Sequence, residues 1–121
     1  MAILKRTKYM RTEKIAFYDQ LVAACPGEER KGATMPYTSF NGHMYSYFTK
    51  DDYLAVRLPE AERNAFLEKY QTKLVEQYGI IQKEYVVVPD DLLKNTGELL
   101  HYFVISRDYV TGLKPKPGKK K

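Results

Sequence analysis

The sequence predicts an α+β fold in two layers, an antiparallel sheet carrying helices on one face. Three observations lead there. Asn41-Gly42 separates two alternating runs, and both central residues of a type I′ hairpin turn need positive φ. Apolar residues recur three or four apart on either side of the hairpins, at Ile15, Tyr18, Leu21, Val22 and Cys25 and at Leu99, Leu100, Phe103 and Val110. Tyr85-Val86-Val87-Val88 is a β-branched run stopped by Pro89.

The hairpins organise the rest. Two follow one another: Met35–Phe40, the turn Asn41-Gly42, His43–Thr49, the turn Lys50-Asp51-Asp52, then Tyr53–Leu58. A two-residue first turn places Phe40 opposite His43, Thr38 opposite Tyr45 and Tyr37 opposite Ser46. A three-residue second turn places Thr49 opposite Tyr53, Phe48 opposite Leu54 and Ser46 opposite Val56. Side chains alternate with period two. One face is then expected to carry Met35, Tyr37, Met44, Phe48, Leu54, Val56 and Leu58 beneath the helices. The other carries Thr38, Phe40, His43, Tyr45, Tyr47, Tyr53 and Arg57, an aromatic but polar set.

The remaining elements follow in order. Met1–Arg11 is read as a basic arm, and Thr12-Glu13 as the start of a first helix that Pro26-Gly27 ends. Pro59 with Glu60 and Glu62 opens a second helix, because a first turn tolerates the missing N–H and favours negative charge. Its far end is ambiguous. Phe66, Tyr70, Leu74 and Tyr78 keep helical spacing up to Gly79, yet Lys73–Gln77 also reads as a strand pairing with Gln82–Val88. Asp90–Leu93 is expected as a short turn, and Asn95 with Glu98 as a capping box for the last helix, closed by Gly112. Lys114–Lys121 is a Lys/Pro/Gly tail whose composition supports no core. The domain is therefore placed at residues 12–113, between a basic arm and a basic tail.

The chain of 121 residues suits one domain, burying roughly two-thirds of its unfolded surface. No apolar run approaches the ~20 residues that cross a bilayer, so no membrane association is expected. A single cysteine permits no internal disulfide and suits a reducing, cytoplasmic setting. Nine of the 20 basic residues sit at the two ends, which leaves 11 basic against 15 acidic residues over 12–113, a net −4. Nucleic-acid binders more usually carry basic charge on the folded face. Lys114, Lys116, Lys119, Lys120 and Lys121 remain candidate contacts for a polyanion, nucleic acid included.

Catalytic patterns are missing from the sequence. His43, His101 and Cys25 do not make a zinc set. Asp51-Asp52 and Asp90-Asp91 fall at turns, where Asp is common for local hydrogen bonding. There is no Gly-rich phosphate loop and no nucleophile elbow. The chain is read as non-enzymatic, with no cofactor and no metal. Eleven tyrosines and no tryptophan fit two readings equally: a partner surface, since tyrosine joins a large contact area to a wet end, or pleated, half-buried strands on which tyrosine simply packs well.

Asn41-Gly42-His43-Met44, the strand Tyr53-Leu54-Ala55-Val56-Arg57, and Glu84-Tyr85-Val86-Val87-Val88-Pro89-Asp90-Asp91-Leu92-Leu93 resemble the N-terminal domain of the TfoX/Sxy family. The resemblance runs from about Phe17 to Lys116, and departs from the family's Met-Phe-Gly-Gly at Met35-Pro36-Tyr37-Thr38. It implies a secretion-chaperone-like fold in α-β(3)-α-β(2)-α order, hence a strand after Thr72. It also implies a regulatory, competence-related role without defined catalysis, and a dimer or other protein partner. The expected contact surface is the face bearing Thr38, Phe40, His43, Tyr45, Tyr47, Tyr53 and Arg57. A nucleic-acid regulator working through its basic ends, and a small enzyme, are the alternatives.

Overall fold

The computed structural model describes residues 9–25, 31–32, 36–40 and 42–113. In chain order they form α1 (Arg11–Ala23), β1 (Tyr37–Phe40), β2 (His43–Phe48), β3 (Leu54–Arg57), α2 (Glu60–Tyr70), β4 (Leu74–Gln77), β5 (Ile80–Val88), α3 (Asp90–Leu93) and α4 (Thr96–Thr111). The strands make one antiparallel sheet in the order β1-β2-β3-β5-β4. Side chains from all four helices share one core with Phe48, Leu54, Val56, Val86 and Val88, so the helices lie together on one face. This is the two-layer α+β arrangement expected from the sequence.

α1 begins one residue earlier than its sequence suggests. Glu13 accepts the Met10 N–H at 2.9 Å, satisfying a donor the helix start would leave open. Arg11, assigned above to the arm, is the first helical residue. Its guanidinium bonds Asp52 at 2.6 Å and lies 4.9 Å over the Phe48 ring. Lys14 is 4 % exposed, yet its ammonium has two partners: the Asp52 carbonyl at 2.8 Å and the Asp90 carboxylate at 3.3 Å. A buried charge persists only when it is paired and hydrogen-bonded. Asp52 and Asp90, each half of a carboxylate pair in the sequence, thus tie α1 to the β2–β3 turn and to α3.

One turn further on, the Tyr18 phenol reaches through the core. It shares a hydrogen bond with Ser46 at 2.7 Å, and Ser46 shares another with Thr38 at 2.5 Å. All three side chains are fully buried, and each hydroxyl finds a partner in its neighbour. The chain of hydroxyls fixes α1 against the first hairpin.

That hairpin departs from the expected register. Phe40↔His43 and Ser39↔Met44 pair as foreseen, but the next pairs are Thr38↔Ser46 and Tyr37↔Tyr47. Tyr45 is therefore an extra residue on β2, a bulge that sends Tyr45 and Ser46 to the same side. Thr38 and Tyr45, assigned from the sequence to the outer face, are completely buried on the helix side. The Tyr45 ring packs 5.4 Å from Phe103 of α4, and its carbonyl accepts the Ser106 hydroxyl at 2.9 Å. Tyr37 and Met44, assigned to the helix side, stand half-buried on the opposite face. Met35 and Asn41 lie outside the described residues.

The second hairpin keeps its expected register, Ser46↔Val56 and Phe48↔Leu54, with Thr49 bonding Tyr53 across a three-residue turn. Asp52 takes the left-handed conformation such a turn requires, φ 69°.

The ambiguous stretch resolves as helix then strand. Gln71 stops α2 in the left-handed region at φ 52°, and its side-chain amide donates to the Glu68 carbonyl at 2.7 Å. Thr72 donates to the Val87 carbonyl at 2.8 Å, which starts β4 beside β5. Phe66 and Tyr70 stay with α2 and pack on Tyr102 of α4, 4.9 and 5.8 Å between ring centroids. The Tyr70 hydroxyl donates to Glu98. Asp90–Leu93 forms a single helical turn with Leu92 and Leu93 buried. Asn95 caps α4 through the Glu98 N–H at 3.2 Å, as its sequence suggests. Cys25 is buried at the end of α1 and accepts from Arg107 of α4 at 3.0 Å.

The hydroxyl chain gives a direct test. Ser46→Ala leaves two buried hydroxyls short of a partner and is expected to lower unfolding free energy by about 1–3 kcal/mol in urea titrations. Combining it with Tyr18→Phe should cost less than the two single losses added, because they remove the same bond. Strict additivity would mean that the bond contributes nothing.

Candidate interaction surface

The face away from the helices is also covered, by the chain itself. β4 and β5 start their pairing at Leu74↔Val86, but the next pair is Val75↔Gln82. Lys83, Glu84 and Tyr85 of β5 are passed over, so the ladder breaks beside Leu74. Beyond the break, Val75 is fully buried in a second cluster with Tyr47 and Ala55, residues of β2 and β3. Tyr78, at the hairpin turn, lies 5.3 Å beneath the Lys50 ammonium of the β2–β3 turn. Neither contact is possible in a flat sheet, where the two turns sit at opposite ends. The distal hairpin, Val75–Gln82, thus folds back across the second face.

Its turn is built for the reversal. Tyr78 and Gly79 both have positive φ, 55° and 75°, between Gln77 and Ile80, the pattern of a type I′ turn. Gly79 takes this conformation without strain; Tyr78 does so as a non-glycine residue.

The tyrosines of this face form a ring around the folded-back hairpin. Tyr37, Met44, Tyr53, Tyr85 and Val87 pack half-buried against Tyr47, Ala55 and Val75. Tyr47 and Tyr85 meet edge-on at 5.4 Å, and the Tyr85 hydroxyl donates to the Met44 carbonyl at 2.7 Å. The Tyr47 phenol is pushed up to about 12, by burial first and then by Tyr85 and Tyr53. Burial likewise raises Tyr53, with Asp51 and Glu76 adding to it and hydrogen bonding from the Glu76 backbone and Thr49 opposing. Tyr53 therefore sits against β4.

Of the expected contact residues, the structure brings Tyr47 and Tyr53 together on this face and sends Thr38 and Tyr45 to the other. Phe40 is 40 % exposed at the end of β1, opposite the half-buried His43. Arg57 stands at the margin. Its Nε donates to Glu84 at 2.7 Å, and its guanidinium lies 5.5 Å over Tyr109 and 6.0 Å over Tyr85. Tyr109 donates to the other Glu84 oxygen at 3.0 Å. Burial pushes the Glu84 carboxyl up, but the bonds from Arg57 and Tyr109 and the nearby Arg57 and Arg63 charges outweigh it, leaving the group below its ordinary 4.5. Lys114, Lys116, Lys119, Lys120 and Lys121 lie outside the described residues.

The residues that sequence reasoning passed over are the exposed ones. Tyr78, Ile80 and Ile81 are 79, 63 and 47 % exposed, three large apolar side chains on one hairpin tip. Tyr78-Gly79 between two apolar-polar runs carried a hairpin signal, but the helical spacing from Phe66 to Tyr78 competed with it. Among the described residues no three His, Cys, Asp or Glu side chains are placed to hold a metal ion, and no helix is long and apolar enough to cross a membrane. His43 lies at the start of β2, while the His101 ring lies 4.9 Å from Tyr102 on α4. Comparison of the chain with family models, curated proteins and solved structures returns no match.

Two pH dependences follow. Glu84 has a depressed folded value, so its contribution is present above about 4.5 and is lost as pH falls through that lower value. Glu84→Gln should flatten the acid side of a plot of urea midpoint against pH; an unchanged slope would deny the coupling. Tyr47 has a raised folded value, so stability falls as pH rises from about 10 towards about 12. Tyr47→Phe should lessen the alkaline slope over that interval.

Proposed function

We propose that this chain is a non-enzymatic interaction domain, of the regulatory kind that the TfoX resemblance implies, and that it acts as a homodimer joined through the β4–β5 tip. The observation that carries this reading is the exposure of Tyr78, Ile80 and Ile81 together. Single exposed apolar residues are ordinary, but adjoining ones mark contact sites. A two-fold contact uses the same patch on both copies, and an uncharged aromatic-aliphatic tip is self-complementary in that sense. Gln77 and Gln82 flank it, so no like charge of the adjacent hairpin residues opposes the approach.

The competence-related role, the secretion-chaperone-like identity of the fold and a cytoplasmic setting belong to the same reading. The first two draw on the Glu84–Leu93 stretch and the strand Tyr53–Arg57, and the third on the single cysteine. The contact surface differs from the sequence expectation, because the chain's own hairpin occupies the tyrosine-bearing face.

Sedimentation velocity across a concentration series tests the reading. The wild-type chain is expected to show a rising weight-average coefficient, and Ile80→Lys with Ile81→Lys to remain monomeric over the same range with an unchanged urea midpoint. A wild-type chain that stays monomeric throughout, or a double variant that associates equally well, refutes the dimer.

A further inference from the structure

We propose that Val75–Gln82 is a strap that opens as a unit, pivoting at the register break beside Leu74, while the sheet beneath and the helix layer stay folded. It is an intramolecular claim and stands apart from the dimer reading. The base of the hairpin is firmly held: Thr72 and Lys73 bond Val87, Leu74 pairs with Val86, and Val86 and Val88 are buried against the helices. Beyond Leu74 the attachment changes character. Val75 is the one strap residue buried on the tyrosine face, and Tyr53 against Glu76 and Lys50 over Tyr78 add contacts along it.

The interruption in β5 separates the two parts. Tyr85 pairs with Arg57 and the Glu84 carbonyl accepts the Leu58 N–H, so β5 up to Glu84 belongs to the sheet through β3. The first three residues of β5, Ile80, Ile81 and Gln82, pair with β4 and lie outside its register with β3. Opening therefore costs side-chain contacts and the hydrogen bond from the Glu76 backbone to Tyr53, with no ladder to β3 to break, and the lifted strap is a lone two-stranded hairpin, marginal in water, whose ladder amides exchange from the open form. Cooperative sub-global opening is drawn from such segments, which bury few apolar groups.

The closed strap also carries an internal penalty. The Gln77 side-chain amide oxygen, Oε1, is buried without a hydrogen-bond partner among the described residues. A buried acceptor left unpaired disfavours the state that buries it, and opening returns it to water. Lifting the strap uncovers Tyr47 and Ala55 together with the half-buried Tyr37, Tyr53 and Tyr85, a tyrosine surface hidden in the closed form.

Native-state hydrogen exchange on the full chain decides it. The amides of Gln77, Ile80 and Gln82 are expected to exchange at least tenfold faster than those of Phe48, Val56 and Val88, with a rate insensitive to low urea. Val75→Asp should speed the first group a further tenfold or more and leave the second unchanged. Equal rates in the wild-type chain, rising together with urea, overturn the proposal whether or not the variant folds. Failure there leaves the sedimentation result untouched, and the reverse also holds.

Discussion

Tyr45 is the extra residue of β2 between Thr38↔Ser46 and Ser39↔Met44, and that excess decides which side chains meet the helices. A regular strand would alternate Tyr45 and Ser46 between faces. The bulge turns both inward, so α4 receives an aromatic ring against Phe103 and α1 receives a hydroxyl for Tyr18. The two helices are thereby anchored to neighbouring residues of one strand. The Ser106 hydroxyl on the Tyr45 carbonyl gives the irregular backbone a partner at the place where the ladder is disturbed. With the bulge removed, β1 would slip by one, Thr38 would leave Ser46, and Tyr18 would carry a buried phenol without its bond.

The same displacement loads the second face. Once Tyr37, Met44 and Tyr47 stand together there, joined by Tyr53 and Tyr85, the sheet has a broad aromatic surface away from the helices. Among the described residues no helix covers it. The β4–β5 hairpin is long enough to fold over, and the ladder break gives it the freedom to do so. Val75 then fills the position over Tyr47 and Ala55 that a second layer would otherwise take. Burial of the Tyr47 phenol, visible in its raised pKa, is the electrostatic trace of this covering.

Local signals were legible in the sequence, and long-range ones were not. The Asn95–Glu98 cap, the three-residue turn at Lys50–Asp52 and the pairing of Phe48 with Leu54 all depend on residues close in the chain. The bulge does not, because a tyrosine in a half-buried strand is content on either face; only Phe103 and Ser106, some sixty residues away, settle its direction. The end of α2 is similar. Helical spacing from Phe66 to Tyr78 is genuine, and it is overridden because Leu74 gains a partner in Val86 across the sheet. Asp52 and Asp90 read as turn residues since nothing nearby shows that Arg11 and Lys14 will reach them. The tyrosine content could not show that Val75 of the chain's own hairpin would pack on the face bearing Tyr47 and Tyr53.

The exposed tip is a consequence of that occupation. Ile80 and Ile81 are successive strand residues and point to opposite sides, yet both are exposed. A segment lying flat on the sheet would bury one of them, so the tip extends past the surface that Val75 covers. Tyr78 is held there by the Lys50 ammonium over its ring while most of its area remains open. The hairpin thus satisfies the tyrosine face with a single aliphatic side chain and leaves its larger apolar residues outside. Among the described residues no atoms cover them, and that exposure is the physical ground on which the tip, and not the tyrosine face, is proposed as the dimer contact.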